Sequence, residues 1–259
     1  LMVYGVRYIE YSVSRTGLNP FLDIGTLFML VRHFLSESPD CVLSYTIKPV
    51  IWGSIASRLF PKIKFVGMVT GLGYAFGEGG ILRSFVRFVA SVLYRFALAN
   101  AKAVIFQNKD NRRSFIDQNL VSASKTHVVQ GSGINLEYFP YDAYRSAEGV
   151  LCFLMVSRLL EDKGVREFLA AAQRVKAIWP DVDFVLIGPE ETSPNAVSLS
   201  DIMVFVRAGV ISYKGAVNDV HNSMINSSVY VLPSYHEGMP RTVLEAMAIG
   251  RPIITTDVP

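Results

Sequence analysis

Two carboxylates near the end of the chain, Glu237 and Glu245, stand eight positions apart in a context that can do chemistry. They lie in the run Ser234-Tyr235-His236-Glu237-Gly238-Met239-Pro240-Arg241-Thr242-Val243-Leu244-Glu245-Ala246-Met247-Ala248-Ile249-Gly250. An apolar run at 229–232 precedes this stretch and a β-rich run at 253–256 follows it. Strand, loop, helix and strand in that order make a βαβ unit of a parallel sheet. Pro240 suits the first turn of the helix. Such a helix start turns free N–H groups and a positive dipole end toward the mouth of the sheet, where phosphates bind. A glutamate within a helix is ordinarily solvated. Glu245, however, shares its helix with the apolar i,i+4 pairs Val243/Met247 and Leu244/Ala248, and only Arg241 and Thr242 accompany it as polar residues. A carboxylate in such company needs a partner, because burying it unpaired is costly. Phosphates for the N–H groups and hydroxyls for the acids are what a nucleotide sugar offers.

A second constellation, Ser157-Arg158-Leu159-Leu160-Glu161-Asp162-Lys163-Gly164, follows the apolar run at 151–156. Arg158 and Lys163 occupy a strand-to-helix loop at the carboxyl edge of the sheet, where two cations can grip a diphosphate, Arg by its fork and Lys as a point charge. The alternative is a solvated loop in which Glu161 and Asp162 pair with these cations; the anion site in the same half of the chain favours the first reading. Gly71-Leu72-Gly73 also follows a strand, but the spacing to Gly77 is wrong for a dinucleotide fingerprint. It reads equally as a loop allowing close backbone approach to a ligand and as a tight turn. Asp181-Val182-Asp183 falls between a helix and a strand start, at the amino edge of the sheet, and is assigned to capping and turn duty. No metal site is expected. His33, His127, His221 and His236 show no ligand spacing; His33 and His221 read as helix-face residues, and His236 borders Glu237 within reach of a ligand. Neither a P-loop nor a nucleophile elbow is present.

The elements that must position these groups alternate. Strands are predicted at 5–13, 40–45, 64–69, 103–107 and 126–130, with helices at 18–35 (Asn19 as N-cap), 49–60, 81–100 and 109–119. Residues 131–149 lose periodicity and read as a connection. Strands at 151–156 and 184–187 then flank a helix at 165–178, and a helix at 217–225 leads to the unit containing Glu237. Strict alternation implies an α/β fold with doubly wound parallel sheets. The domains are placed at 1–145 and 146–259. Both ends read as cut, so that each sheet is incomplete at its chain end. Isolated as such a piece, the chain is expected to be poorly soluble and inactive.

Bulk properties agree. The 259 residues are 51% hydrophobic and 18% charged, with mean hydropathy +0.32, as suits strands buried on both faces. A net charge of +3 gives no support for a nucleic-acid partner. Cys41 and Cys152 read as buried thiols in a reducing compartment. There is no leader pattern and no charge-free run long enough to span a bilayer. The helix at 81–100 carries Arg83, Arg87 and Arg95 among Phe85, Phe88, Tyr94 and Phe96, with Arg83 and Arg87 on one face. It reads either as a sheet cover or as a basic, aromatic helix lying on an anionic membrane surface.

The run from Ser234 to Asp257 resembles the E-x7-E signature of GT-B glycosyltransferases, closest to the retaining glycosyltransferase family 4, and V-S-R-L-L-E-D-K-G resembles the Arg/Lys pair that precedes it there. S-R-T-G-L-N-P, P-D-C-V-L-S-Y-T-I-K-P and T-G-L-G-Y-A-F resemble bacterial enzymes that build capsule, O-antigen or lipid-linked oligosaccharides. The resemblance implies two Rossmann-like domains, a nucleotide-sugar donor and a polyprenyl-diphosphate-linked or glycan acceptor. It implies transfer with retention of anomeric configuration, without a metal or other cofactor. Arg158 and Lys163 would bind the diphosphate and steady the departing nucleotide. Glu245 would hold the ribose. Glu237 would face the transferred sugar, making Glu237, Arg158 and Lys163 the catalytic group. The N–H groups of the run Gly238, Met239, Pro240 and Arg241 (Pro240 itself having none) would contact that sugar, Pro240 and Leu244 belonging to the same donor site, and Gly71, Leu72 and Gly73 would close the cleft from the acceptor side. A place on the cytoplasmic face of the membrane follows. A nucleotide-sugar epimerase of the same fold and a non-catalytic nucleotide-sugar-binding module are the competing readings.

Overall fold

The computed structural model describes residues 5–13, 20–71, 81–143 and 150–258. The chain divides into two compact units, Leu1–Gln130 and Gly131–Pro259.

In the first unit α1 (Pro20–Glu37) precedes β1 (Cys41–Tyr45), α2 (Ile47–Ser57), β2 (Lys64–Val69), α3 (Ile81–Leu98), β3 (Ala103–Phe106), α4 (Lys109–Asp117) and β4 (Thr126–Val128). The strands are parallel in the order β1-β2-β3-β4. Each crossover steps the same way, so right-handed connections put α2, α3 and α4 on one face. On that face α2 packs between α1 and α3, over a core that includes Val50, Phe65, Tyr94, Leu98 and Phe106. The opposite face leaves Leu43 and Tyr45 about half exposed (49% and 48%). Among the described residues this sheet is therefore wound on one side, not doubly wound as its alternation predicts. The predicted strand at 5–13 pairs with nothing in the sheet. It runs beside α1 instead, where the Thr26 hydroxyl donates to the Ser12 carbonyl (2.9 Å) and Arg7 meets Glu37 (3.0 Å). Asn19, the predicted cap of α1, lies outside the described residues.

In the second unit the order is β5 (Cys152–Val156), α5 (Val165–Ile178), β6 (Asp183–Ile187), α6 (Leu199–Arg207), β7 (Ser212–Tyr213), α7 (His221–Ile225), β8 (Val229–Leu232), α8 (Arg241–Ile249) and β9 (Ile253–Thr255). All five strands are parallel, in the order β7-β6-β5-β8-β9. The chain builds outward from β5 to β7, then returns to β5's other side for β8 and β9. The strand order thus reverses between β5 and β8, the position where ligands bind in open α/β sheets. Pattern reading missed α6 and β7. Ile202 of α6 is fully buried, and Ser198 caps the helix through the Asp201 N–H (3.1 Å). The helix predicted at 217–225 is shorter, beginning at His221.

Residues 131–143 were read as connection, yet they pack with the second unit. Phe139 is buried in its core, and the Asp142 N–H donates to the Ile249 carbonyl (3.1 Å). The buried Arg251 guanidinium donates to the Asp142 carbonyl (3.2 Å), the Asp142 carboxylate (3.3 Å) and the Met224 carbonyl (3.3 Å). Cys41 is exposed and Cys152 half-buried, both as free thiols. The expectation of two buried thiols fails for Cys41 because it opens an edge strand.

Removing the Arg251 guanidinium takes away the donor that ties Asp142 to the Met224 carbonyl and frees the 131–143 segment. We expect Arg251→Ala to lower the unfolding free energy of the second unit by about 2–4 kcal/mol, measured by urea denaturation. A loss under about 0.5 kcal/mol, the range of an ordinary surface change, would show that Arg251 does not hold this segment.

Candidate active site

The loops after β5 and β8 emerge side by side at the reversal point. They touch at Gly164, a left-handed residue (φ 73°) where a Cβ would lie 2.1 Å from the Pro233 carbonyl oxygen. Only glycine meets both demands. Gly188, after β6, makes a similar approach, since a Cβ there would lie 1.7 Å from the Ser157 carbonyl oxygen. Backbone contact between the first two loops is reinforced by side chains. The Tyr235 N–H donates to the Asp162 carbonyl (2.9 Å), and the Tyr235 hydroxyl donates to Glu167 (2.6 Å).

This approach seats Lys163 against Glu237. Nζ lies 2.6 Å from Oε1, and the two side chains are only 18% and 19% exposed. The buried Ser234 hydroxyl donates to the same oxygen (2.8 Å), while the Thr256 hydroxyl donates to the Ser234 carbonyl. Glu237 is thus held by one cation and one hydroxyl from its own and the neighbouring loop. The acids next to Lys163 do not compete: Glu161 pairs with Arg166 (3.0 Å), and Asp162 accepts from the Asn195 amide (2.6 Å). The solvated-loop alternative for Lys163 does not hold. Arg158 behaves differently. It is half exposed and pairs with Glu191 (3.3 Å) of the loop after β6, a partner the sequence reading did not single out.

Helix α8 begins after Pro240, which occupies the N-cap and not the first turn. By helix geometry the N–H groups of Arg241 and Thr242 have no intrahelical acceptor. The start of α8 is pinned to the sheet through the buried Tyr230, whose hydroxyl bonds to the Val156 carbonyl (3.1 Å) and to Thr242 Oγ1 (2.6 Å). Glu245, one turn in, is buried, with a side chain 8% exposed. Its Oε1 accepts from Arg241 Nε at 3.0 Å, the partner the apolar context demanded. Arg241 is itself largely exposed, so solvent screens the pair. Burial pushes the Glu245 carboxyl above the usual glutamate range, and Arg241 only partly opposes this. Among the described residues Oε2 of Glu245 has no hydrogen-bond partner.

Three further groups border these carboxylates. His236 precedes Glu237; burial lowers its pKa, leaving it neutral near pH 7, and among the described residues its buried Nε2 has no partner. Tyr138 and Asp219 were not anticipated. The neighbouring Asp219 carboxylate pushes the Tyr138 phenol up, with burial and the Glu245 charge adding to it. His221, read as a helix-face residue, opens α7 with its ring against those of Tyr138 and Phe139, at 5.7 and 5.6 Å between centroids. No local pattern marks Tyr138 and Asp219, which lie far apart along the chain.

Arg158, Lys163, Glu237 to Arg241, Leu244 and Glu245 thus belong to one unit, on elements that meet at one edge of its sheet. Gly71 follows β2 of the first unit, and Leu72 and Gly73 lie outside the described residues. Asp183 opens β6 and Asp181 precedes it, at the amino edge opposite the candidate site. Among the described residues no three His, Cys, Asp or Glu side chains gather in a metal-holding group.

Comparison with known proteins follows the same outline. Residues 151–259 match the family model of the group 1 glycosyl transferases. Over 98% of its length the chain is 32% identical to the N,N'-diacetylbacillosaminyl-diphospho-undecaprenol alpha-1,3-N-acetylgalactosaminyltransferase of Campylobacter jejuni, spanning 68% of that protein. It is 28% identical over 91% of its length to the UDP-Gal:alpha-D-GlcNAc-diphosphoundecaprenol alpha-1,3-galactosyltransferase of Escherichia coli, of which it spans 62%. Among solved structures, the sucrose-phosphate synthase of Thermosynechococcus elongatus superposes with a TM-score of 0.75 over 92% of this chain and 61% of that one, at 19% identity. The two parallel-sheet units are those of the GT-B fold. With the matched donor-side unit, the near-complete alignment to the first relative and the shared fold, the chain belongs to the group 1 glycosyltransferases.

Proposed function

We propose that the protein transfers a sugar from a nucleoside diphosphate sugar, a UDP-sugar in the first instance, to a polyprenyl-diphosphate-linked acceptor with retention of anomeric configuration. The observation that carries this reading is the pair Lys163–Glu237 beside the start of α8, with the buried Glu245 one turn further in. A diphosphate needs cations and N–H groups at one end, and a ribose needs an acceptor for its hydroxyls at the other. Lys163, the Arg241 and Thr242 N–H groups and Oε2 of Glu245 are ordered to match. The names of the two relatives point the same way, since both carry diphospho-undecaprenol-linked sugars and one UDP-Gal.

In this reading Lys163 gives up part of its interaction with Glu237 to a phosphate oxygen, and Arg158 swings from Glu191 to the same diphosphate. As the glycosidic C–O bond breaks, negative charge builds on the departing phosphate. Fixed cations and the helix dipole stabilise that charge without reorganising. Glu237, released from Lys163, faces the transferred sugar and accepts from its hydroxyls. Retention and the family 4 assignment rest on the E-x7-E resemblance. Incubation with labelled UDP-, GDP- and ADP-sugars and an undecaprenyl-diphosphate-linked acceptor tests the reading as a whole. Transfer with retained configuration is expected; an epimerised donor, or binding without turnover, would overturn it.

The ribose contact has its own signature. Glu245→Gln keeps shape and removes charge, so donor binding should weaken by about 1–3 kcal/mol in a calorimetric titration. The hydroxyls donate to the ionised carboxylate. Affinity is therefore full above the raised pKa of Glu245 and falls as pH drops through it, at a higher pH than an exposed glutamate would give. That pH dependence should vanish in Glu245→Gln. Unchanged affinity and an unchanged pH profile would remove Glu245 from the site.

If Arg158, Lys163 and the α8 start supply the positive charge, transfer should persist in EDTA. Activity lost to EDTA and restored by Mn²⁺ or Mg²⁺ would instead require a metal among the carboxylates, with Asp181 and Asp183 the first to examine.

A further inference from the structure

A tyrosine in the middle of a buried parallel strand is a costly choice, because phenylalanine fills the same space without burying an oxygen. Tyr230 stands there in β8, between β5 and β9, fully buried in a core with Leu154, Leu232, Ala246 and Ile249. Burial pushes its phenol up, and the Glu237 and Glu245 charges add to the shift, while hydrogen bonds to Thr242 and Val156 oppose it. Both carboxylates of the candidate donor site are thus within electrostatic reach of one buried hydroxyl.

A phenol has one proton to give. It donates to Thr242 Oγ1 at 2.6 Å and stands 3.1 Å from the Val156 carbonyl, beyond the usual range for an O–H···O bond. The shorter contact takes the proton. Thr242 is therefore an acceptor toward Tyr230 and keeps its own hydroxyl proton. A threonine within a helix ordinarily gives that proton to the carbonyl four residues earlier. Thr242 is the second residue of α8, so no turn of helix precedes it. Among the described residues its hydroxyl donates to nothing. The residue is half-buried, at the same helix end as the open N–H groups of Arg241 and Thr242. Donation from the phenol also polarises the threonine O–H and makes it a stronger donor.

We propose that Thr242 donates its hydroxyl proton to a phosphate oxygen of the nucleoside diphosphate. Tyr230 is the positioning residue: by donating to the threonine oxygen it fixes that oxygen and leaves the threonine proton for the ligand. The inference rests on the donor-site reading above, to which it adds a third donor at the start of α8 and a buried group that never touches substrate. Negative charge grows on the phosphate as the sugar leaves, so the contact strengthens where the reaction needs it.

The test is calorimetric titration of the chain with whichever of UDP, GDP and ADP it binds most tightly, and with the matching nucleoside by competition. Thr242→Val removes the hydroxyl at nearly constant shape. It should weaken diphosphate binding about tenfold and leave nucleoside binding unchanged, and Thr242→Ser should restore the parent affinity. Tyr230→Phe should weaken diphosphate binding about threefold in the parent, and not at all in a chain already carrying Thr242→Val. A tyrosine that only props the helix would weaken the nucleoside as well, since Glu245 rides on the same helix, and that result would count against the proposal. Should Thr242→Val lose its cooperative melt, Thr242→Ala makes the same comparison. Threonine variants that bind the diphosphate as the parent does, or a Tyr230→Phe loss equal in both backgrounds, would overturn this inference and leave the donor reading standing. A parent that binds none of the three nucleotides would overturn both.

Discussion

Backbone contact between Gly164 and Pro233 is the constraint on which the second unit's chemistry depends. Two strands that are neighbours in the sheet are 76 residues apart in the chain, counting from Cys152 to Ser228. Their following loops must nevertheless come within bonding distance for Lys163 to reach Glu237. A side chain at position 164 would push the loops apart by the width of a methyl group and break a 2.6 Å ion pair. The left-handed turn at Gly164 also starts α5 in the direction that lets Glu167 accept from Tyr235. One glycine therefore sets the separation of the loops, the direction of a helix and the position of the cation.

The Lys163–Glu237 pair is poised, not inert. A partly buried ion pair gains little net free energy, because desolvating both charges offsets most of their attraction. Here a serine hydroxyl already shares the carboxylate oxygen. Such a pair can exchange one partner for a ligand at small net cost, since a phosphate offered to Lys163 and a hydroxyl offered to Glu237 replace what each loses. Glu245 has the complementary property: buried, with a screened partner on one oxygen and none among the described residues on the other. Two hydroxyl donors would add to the single bond that Arg241 gives it.

Much of this was legible in residue patterns, and the failures have physical causes. The strand, loop and helix around Glu237 carry strong local signals: a continuous apolar run, a proline before the helix and a glycine after it. The demand that Glu245 find a partner followed from its apolar neighbours and was met by Arg241 one turn earlier. Long-range pairings were not legible. Arg158 turns to Glu191, and the Tyr138 ring to His221, through loops whose paths depend on tertiary packing. The segment at 5–13 alternates like a strand, but Thr26 of α1 takes up its carbonyl at Ser12, so the pattern is used against a helix. The one-sided winding of the first sheet was hidden for a related reason, since alternation of strands and helices says nothing about strand order.

The central claim is that the second unit alone recognises the nucleotide, through Lys163, the start of α8 and Glu245. Determining the structure of the protein with a nucleoside diphosphate bound tests it most directly. The account predicts a diphosphate in hydrogen-bonding distance of Lys163 and of the Arg241 or Thr242 N–H groups, with ribose hydroxyls on the Glu245 carboxylate. A nucleotide bound elsewhere, at the amino edge beside Asp183 or with Lys163 and Glu245 untouched, would contradict it.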